Sequence, residues 1–249
     1  MPAIGTIICI PVVNVFGFIN QERAFPDGRD LNRMFPGSKQ GSLAARFAYN
    51  IMKDIVPHVD YILDFHTGGD ERFNYSQIRM DASDEESLEL AKVFGTKFIL
   101  NSENRSKSFR QAATDLGKKV LLFEGGKSLD LDRIVTQKAI QGTAKILRHL
   151  HMANKNMEDE INSAEIEDQY LLQSTTWVRS PLSGMYRNFV KLGSFVQKGD
   201  YIGSLSDPYG GTEKKVKSPC DGFVICSNHA PIVNQGDALM HISTSFEKL

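Results

Sequence analysis

An α/β domain built on a mainly parallel sheet with flanking helices, followed by a small all-β module, is the fold this sequence predicts. Three observations carry that expectation. Apolar strand-like runs alternate with helical patterns over residues 1–152. Glycine pairs follow the runs YILDFHT and KVLLFE. After Trp177 the pattern changes to short strands separated by regular glycine turns.

Taken in order, residues 4–13, IGTIICIPVV, form an apolar, β-branched run closed by Asn14 and Gly17, and predict a buried strand. Residues 20–41 have no period and are rich in Gly, Pro, Asp, Asn and Arg, which predicts a long polar loop of the kind that often carries function. Ser42 opens a helix over 42–56, with Leu43, Phe47, Ile51 and Ile55 on its apolar face. YILDFHTGG reads as a strand and turn, 84–94 as a second helix, FIL as a short strand and 108–117 as a third helix. KVLLFEGG is again strand and turn, and 130–152 a long helix. Ligands of such sheets bind beyond the carboxyl ends of the strands, where DFHTGG and FEGG both fall.

Residues 153–174 are acidic and polar, and read as a linker or strand-leading segment. Over 175–249 two stretches share one plan: S-P-x-x-G, a strand, a V-x-x-G-D turn and another strand, from Ser180 and from Ser218. The V-x-x-G-D turn resembles that of barrel-sandwich domains of the biotinyl/lipoyl type. The modifiable lysine flanked by methionines is missing, so the module reads as a scaffold without a swinging prosthetic group.

A formal net charge of −1 supplies no global field to recruit nucleic acid or an anionic membrane. No apolar run approaches the roughly 20 residues that span a bilayer. Cys9, Cys220 and Cys226 lack metal-site spacing; Cys220 and Cys226 could pair, but reduced thiols in a cytoplasmic protein fit the composition better.

His66 ends an apolar strand, and Asp64 two residues earlier shares its face of that strand. A carboxylate beside a histidine orients the ring and fixes its tautomer, as it does for metal-bound imidazoles. Glu124 follows four apolar residues at a second strand end, where partial burial suits a general base. Between Arg23 and Gly37, Arg23, Arg29, Arg33 and Asn32 lie close in sequence, a pattern suited to bidentate recognition of carboxylates.

D-G-R-D-L-N-R-x-F-P-G, D-F-H-T-G-G and F-E-G-G, in that order, resemble the succinylglutamate desuccinylase/aspartoacylase family, a branch of the zinc carboxypeptidase-like fold. The likeness spans most of residues 4–150 and extends to the C-terminal β module. It implies a zinc-dependent amidohydrolase acting on a small N-acyl amino acid-like substrate. By resemblance His66 is a zinc ligand with Asp64 behind it, and Glu124 activates water and protonates the leaving amine. Asn32 and Arg33 grip the substrate carboxylate, and Arg23 polarises the scissile carbonyl, with Arg29 a second candidate. The family's other two zinc ligands are a histidine and a glutamate three residues apart, upstream of the first strand here; none of the six histidines stands in H-x-x-E. The chain is therefore expected to begin late, or to have lost catalysis, and to hold Zn2+ weakly or not at all. Its first strand is expected to offer an unpaired edge that a homo-oligomer would cover.

Overall fold

The computed structural model describes residues 2–162 and 167–249. Polar caps set the helices where the sequence period asks for them. Helix α1 covers Val15–Asn20, and α2 covers Leu43–Asp54. The Ser42 side chain accepts from Ala45 N at 3.3 Å and Asp27 accepts from Ala44 N at 3.0 Å, so two free amides of the α2 terminus are met. Then follow β1 (Tyr61–Gly68), β2 (Arg72–Met80), α3 (Glu85–Phe94), β3 (Phe98–Asn101), α4 (Phe109–Thr114), β4 (Lys119–Lys127) and α5 (Arg133–His149).

The segment expected to be a linker contains α6 (Lys155–Asn162) and the start of β5 (Tyr170–Arg179); its residues 163–166 lie outside the described part. The rest is β6 (Gly184–Asn188), β7 (Phe195–Val196), β8 (Tyr201–Ser206), β9 (Glu213–Lys217), β10 (Gly222–Asn228), β11 (Ile232–Val233) and β12 (Ala238–Lys248).

The main sheet runs β1-β4-β2-β3-β5-β12-β10-β7, and β10 also pairs with β2, so the five strands from β2 round to β10 close on themselves. The sheet is mixed, which corrects the mainly parallel expectation. β1 with β4, β2 with β3 and β3 with β5 are parallel, but β2 runs against β4, and β12 and β10 are antiparallel to their neighbours. The reason is β2, which returns from β1 after a short turn and inserts beside β4.

Alternation along the strands separates two cores. Val120 and Ile62 pack with α2 and α4, while Leu121, Phe123 and Ile78 pack with α3 and α5.

The run 4–13 is not a strand. It is irregular chain with bends at residues 4, 5, 11 and 13, and Ile7, Ile8 and Ile10 are each more than 40% exposed. Apolar, β-branched residues favour a strand only where a neighbour takes up the backbone bonds. Among the described residues this run is tied near its ends, by Ala3 N to Met152 O at 2.9 Å and by Asn14 Nδ2 to Arg23 O at 3.1 Å. Among the described residues β1 and the short β7 each pair on one side only, so both are edges of the main sheet.

In the β module the duplicated motif is a structural duplication. Gln197 N donates to Asp200 at 2.8 Å and Asn234 N to Asp237 at 2.7 Å, with Gly199 at φ +94° and Gly236 at φ +90°. Those left-handed angles are why both turns carry glycine. The turns are exchanged: Ser218 N bonds Asp200 O, and Ser180 N bonds Asp237 O. A second sheet, β11-β6-β8-β9, shares a core of Ile202, Leu205, Leu239 and Ile242 with the main one. All three cysteines are free thiols, and no described helix is long and apolar enough to cross a membrane.

Candidate active site

The parallel pairing of β1 with β4 brings the two strand-end motifs together, with His66 directly opposite Glu124 in register. Asp64, His66, Leu122 and Glu124 alternate with the apolar residues that face α3 and α5, so the polar groups share the other face. Asp64 Oδ2 lies 3.0 Å from His66 Nε2, which leaves Nδ1 as the ring nitrogen for another partner. Burial alone would lower the pKa of His66. The bond to Asp64 and the charges of Asp64 and Glu124 outweigh it, Arg23 opposes them, and the net shift is upward.

Glu124 is held from β2. Asn74 Nδ2 donates to Oε2 at 2.8 Å, and Arg79 Nη1 stands 3.9 Å from Oε1. Gln77, opposite Glu124 in register, is fully buried and finds no partner for either amide atom. Arg110 from α4 donates to Ser102 O and Glu103 O; burial and the charge of Arg79 lower its pKa. The β module closes this side. His241 stacks on Trp177 at 4.2 Å, its Nε2 lies 2.7 Å from Thr175 Oγ1, and burial, aided by Arg79, pushes its pKa down to about 3.

The arginine loop divides. Arg23 pairs with Asp30 at 3.0 Å, and Arg33 approaches the same oxygen at 4.0 Å. Asn32 Oδ1 accepts from Phe109 N at 2.8 Å, so its amide nitrogen is the end left for a ligand. Arg29 turns instead to Asp27, 3.7 Å away, and that aspartate caps α2. Of the two candidate arginines, Arg23 is the one whose charge opposes protonation of His66.

Asn74, Gln77 and Arg79 are not legible as site residues in the sequence, because 72–80 lacks a strand's alternation. Its signal is split: Phe73 and Tyr75 keep one phase, Ile78 and Met80 the other. The slip falls where the β2–β4 register shifts, between Asn74 and Gln77. His241 carries no local signal at all.

An apolar groove of about 650 Å³ runs between β1 and α5, lined by Phe65, Phe123, Val135, Ile140 and Leu147 among others. Phe65 and Phe123 alternate with His66 and Glu124, so the groove opens largely on the opposite face, although His66 is among its lining residues. No three His, Cys, Asp or Glu side chains gather as a metal cage among the described residues. His66 with its partners does not meet the three-ligand requirement of a catalytic zinc.

The chain is 27% identical over 260 residues to the N-alpha-acetyl-L-2,4-diaminobutyric acid deacetylase of Halomonas elongata, covering 98% of this chain and 74% of that protein. Among solved structures, it resembles the product-bound ectoine utilization protein EutE (DoeB) of Ruegeria pomeroyi, with a TM-score of 0.81 and 20% identity over 94% of this chain and 74% of that one. It also resembles a succinylglutamate desuccinylase of Silicibacter sp. TM1040, with a TM-score of 0.82 and 20% identity over 94% and 73%. At such identities these structures speak for the α/β fold alone. The model of the succinylglutamate desuccinylase/aspartoacylase catalytic domain matches residues 3–150, more than half of the sequence. On that match, the chain belongs to the succinylglutamate desuccinylase/aspartoacylase family.

Proposed function

We propose that this site cleaves the amide bond of a small N-acyl amino acid, with Glu124 moving the proton. The observation that carries the reading is the placement of Glu124. It is opposite His66 on the neighbouring strand and fixed by Asn74 at 2.8 Å. The similarity to a diaminobutyrate deacetylase supports the substrate class.

In the reaction, Arg33 and the Asn32 amide hold the substrate carboxylate, a task suited to a planar fork of donors. Arg23 meets the carbonyl oxygen as negative charge grows on it. Glu124 takes one proton from the attacking water and delivers it to the amine nitrogen; the new C–O bond forms and the C–N bond breaks. Asp64 holds the His66 ring.

Zinc is the cofactor the family likeness implies, and His66 Nδ1 is the donor this chain would offer it. Two further donors are not among the described residues, and no step is derived through the metal. A second reading, a carboxylate-binding protein that does not hydrolyse, rests on Arg33 and the free amide end of Asn32, which meet an anion without a metal. The reduced cysteines suit a cytoplasmic setting.

The test is release of free amine from N-acetyl and N-succinyl amino acids by the purified protein, with and without added Zn2+, beside calorimetric binding of the same compounds. Turnover that Glu124→Gln abolishes supports the deacylase. Binding without turnover in any arm supports the second reading.

A further inference from the structure

Two arginines of the proposed site converge on one oxygen. Arg23 donates through Nε to Asp30 Oδ2 at 3.1 Å, with Nη2 at 3.0 Å. Arg33 Nη1 is 4.0 Å from the same oxygen. The other oxygen, Oδ1, accepts Asn32 N–H at 2.9 Å and caps the 3₁₀ turn Leu31–Arg33.

This is a poor arrangement for stability alone. The Arg23 side chain is 61% exposed, and exposed ion pairs contribute little while holding a long side chain costs rotamer entropy. It does fix direction, because a hydrogen bond from Nε and an ion-pair contact from Nη2 to one oxygen orient a planar guanidinium that would otherwise sweep through solvent. The cation cluster also needs an anion. Burial lowers the pKa of Arg33, Arg105 and Arg23 add repulsion, and Asp30 opposes them.

We propose that Asp30 is a positioning residue for amide cleavage, a role that rests on the deacylase reading. It aims Arg23 at the carbonyl oxygen and ties that aim to the turn carrying Asn32 and Arg33. Its loss has two effects of opposite sign. Without the carboxylate the loop gains one net positive charge, so an anionic substrate binds as well as before or better. Freed from its partner, Arg23 is no longer preorganised for the developing oxyanion, so the chemical step slows. The signature is a fall in kcat without a rise in KM; a residue that only props up the loop would raise KM as kcat fell.

The variant is Asp30→Asn, which keeps an oxygen for the Asn32 cap and removes the charge. On N-acetyl amino acids its kcat should drop by at least about tenfold, less than the roughly 100-fold lost when an oxyanion donor is removed outright, because Arg23 is misaimed rather than absent. KM should stay equal or fall, and Asp30→Glu should recover part of kcat. In an Arg23→Ala background the Asn substitution should cost less than about twofold, because the partner is already gone.

Additive losses, or a KM rise matching the kcat loss, overturn the proposal while leaving the deacylase reading in place. Unchanged kcat in Arg23→Ala removes Arg23 from the chemical step and overturns the proposal, while the turnover itself leaves the deacylase reading in place. A readout free of turnover is the NMR signal of Arg23 Nε–H. In the wild type it should be slow to exchange with solvent, and in Asp30→Asn it should be lost. Fast exchange in the wild type overturns the proposal whether or not the protein is active.

Discussion

Replacing Glu124 by Gln separates chemistry from architecture, because the two effects have different sizes. The carboxylate accepts from Asn74 at 2.8 Å and lies 3.9 Å from Arg79, with its side chain 13% exposed. Glutamine has the same shape. Its oxygen can keep the Asn74 bond, but its NH2 must then face the Arg79 guanidinium, donor to donor. The loss is that of one charged contact in a half-dry place, about 1.5–3 kcal/mol. In a chain of this size that lowers Tm by several degrees, at roughly 2–4 °C per kcal/mol.

The chemical loss is larger. A general base is worth about 100-fold to 10,000-fold, or roughly 2.7–5.4 kcal/mol of barrier at 1.36 kcal/mol per decade. Amine release assayed well below the melting temperature, with calorimetric binding of the same substrate, separates the two. Glu124→Gln should still bind substrate and lose at least about 100-fold in kcat. A kcat within tenfold of wild type, in a variant that melts normally, would refute the role assigned to Glu124.

Arg33→Lys retains charge but not the planar fork, so KM should rise clearly with kcat little changed. Substrates with the free carboxylate converted to an amide should lose the same factor, and equal treatment of acid and amide by wild type would place the anion site elsewhere. Zinc should be retained well below one equivalent after exposure and desalting, read by elemental analysis, since a single imidazole does not replace three ligands. Stoichiometric zinc would demand another ligand set. His241 is held neutral by burial, its pKa pushed down to about 3. Below about pH 6.5 the unfolded chain protonates this residue while the folded one does not, so stability falls with falling pH by up to about 1.4 kcal/mol per unit. Urea melts from pH 6.5 to 4.5 should show that slope reduced in His241→Gln, and identical slopes would sink the assignment.

What the sequence determined by itself is local. His66 and Glu124 each follow an apolar run and precede a glycine pair, so residue order alone marks a polar group near the end of a strand, although β1 runs on to Gly68 and β4 to Lys127 rather than turning at the glycines. The two V-x-x-G-D turns were legible because a left-handed angle singles out glycine. Three ordered motifs were enough for the family. Tertiary structure decided whatever depends on a partner distant in sequence. Residues 4–13 have a strand's composition, yet backbone pairing needs a neighbour, and they run exposed. β2 was hidden because Asn74 and Gln77 are polar residues buried across its register slip. Its pairing with β10, which brings Cys226 beside Asn74, joins segments about 150 positions apart, and nothing local to either announces it. Asp30 could be seen as a neutralising charge in the loop. Only the folded chain brought its one oxygen to both Arg23 and Arg33, because where a long side chain points is set by what surrounds it.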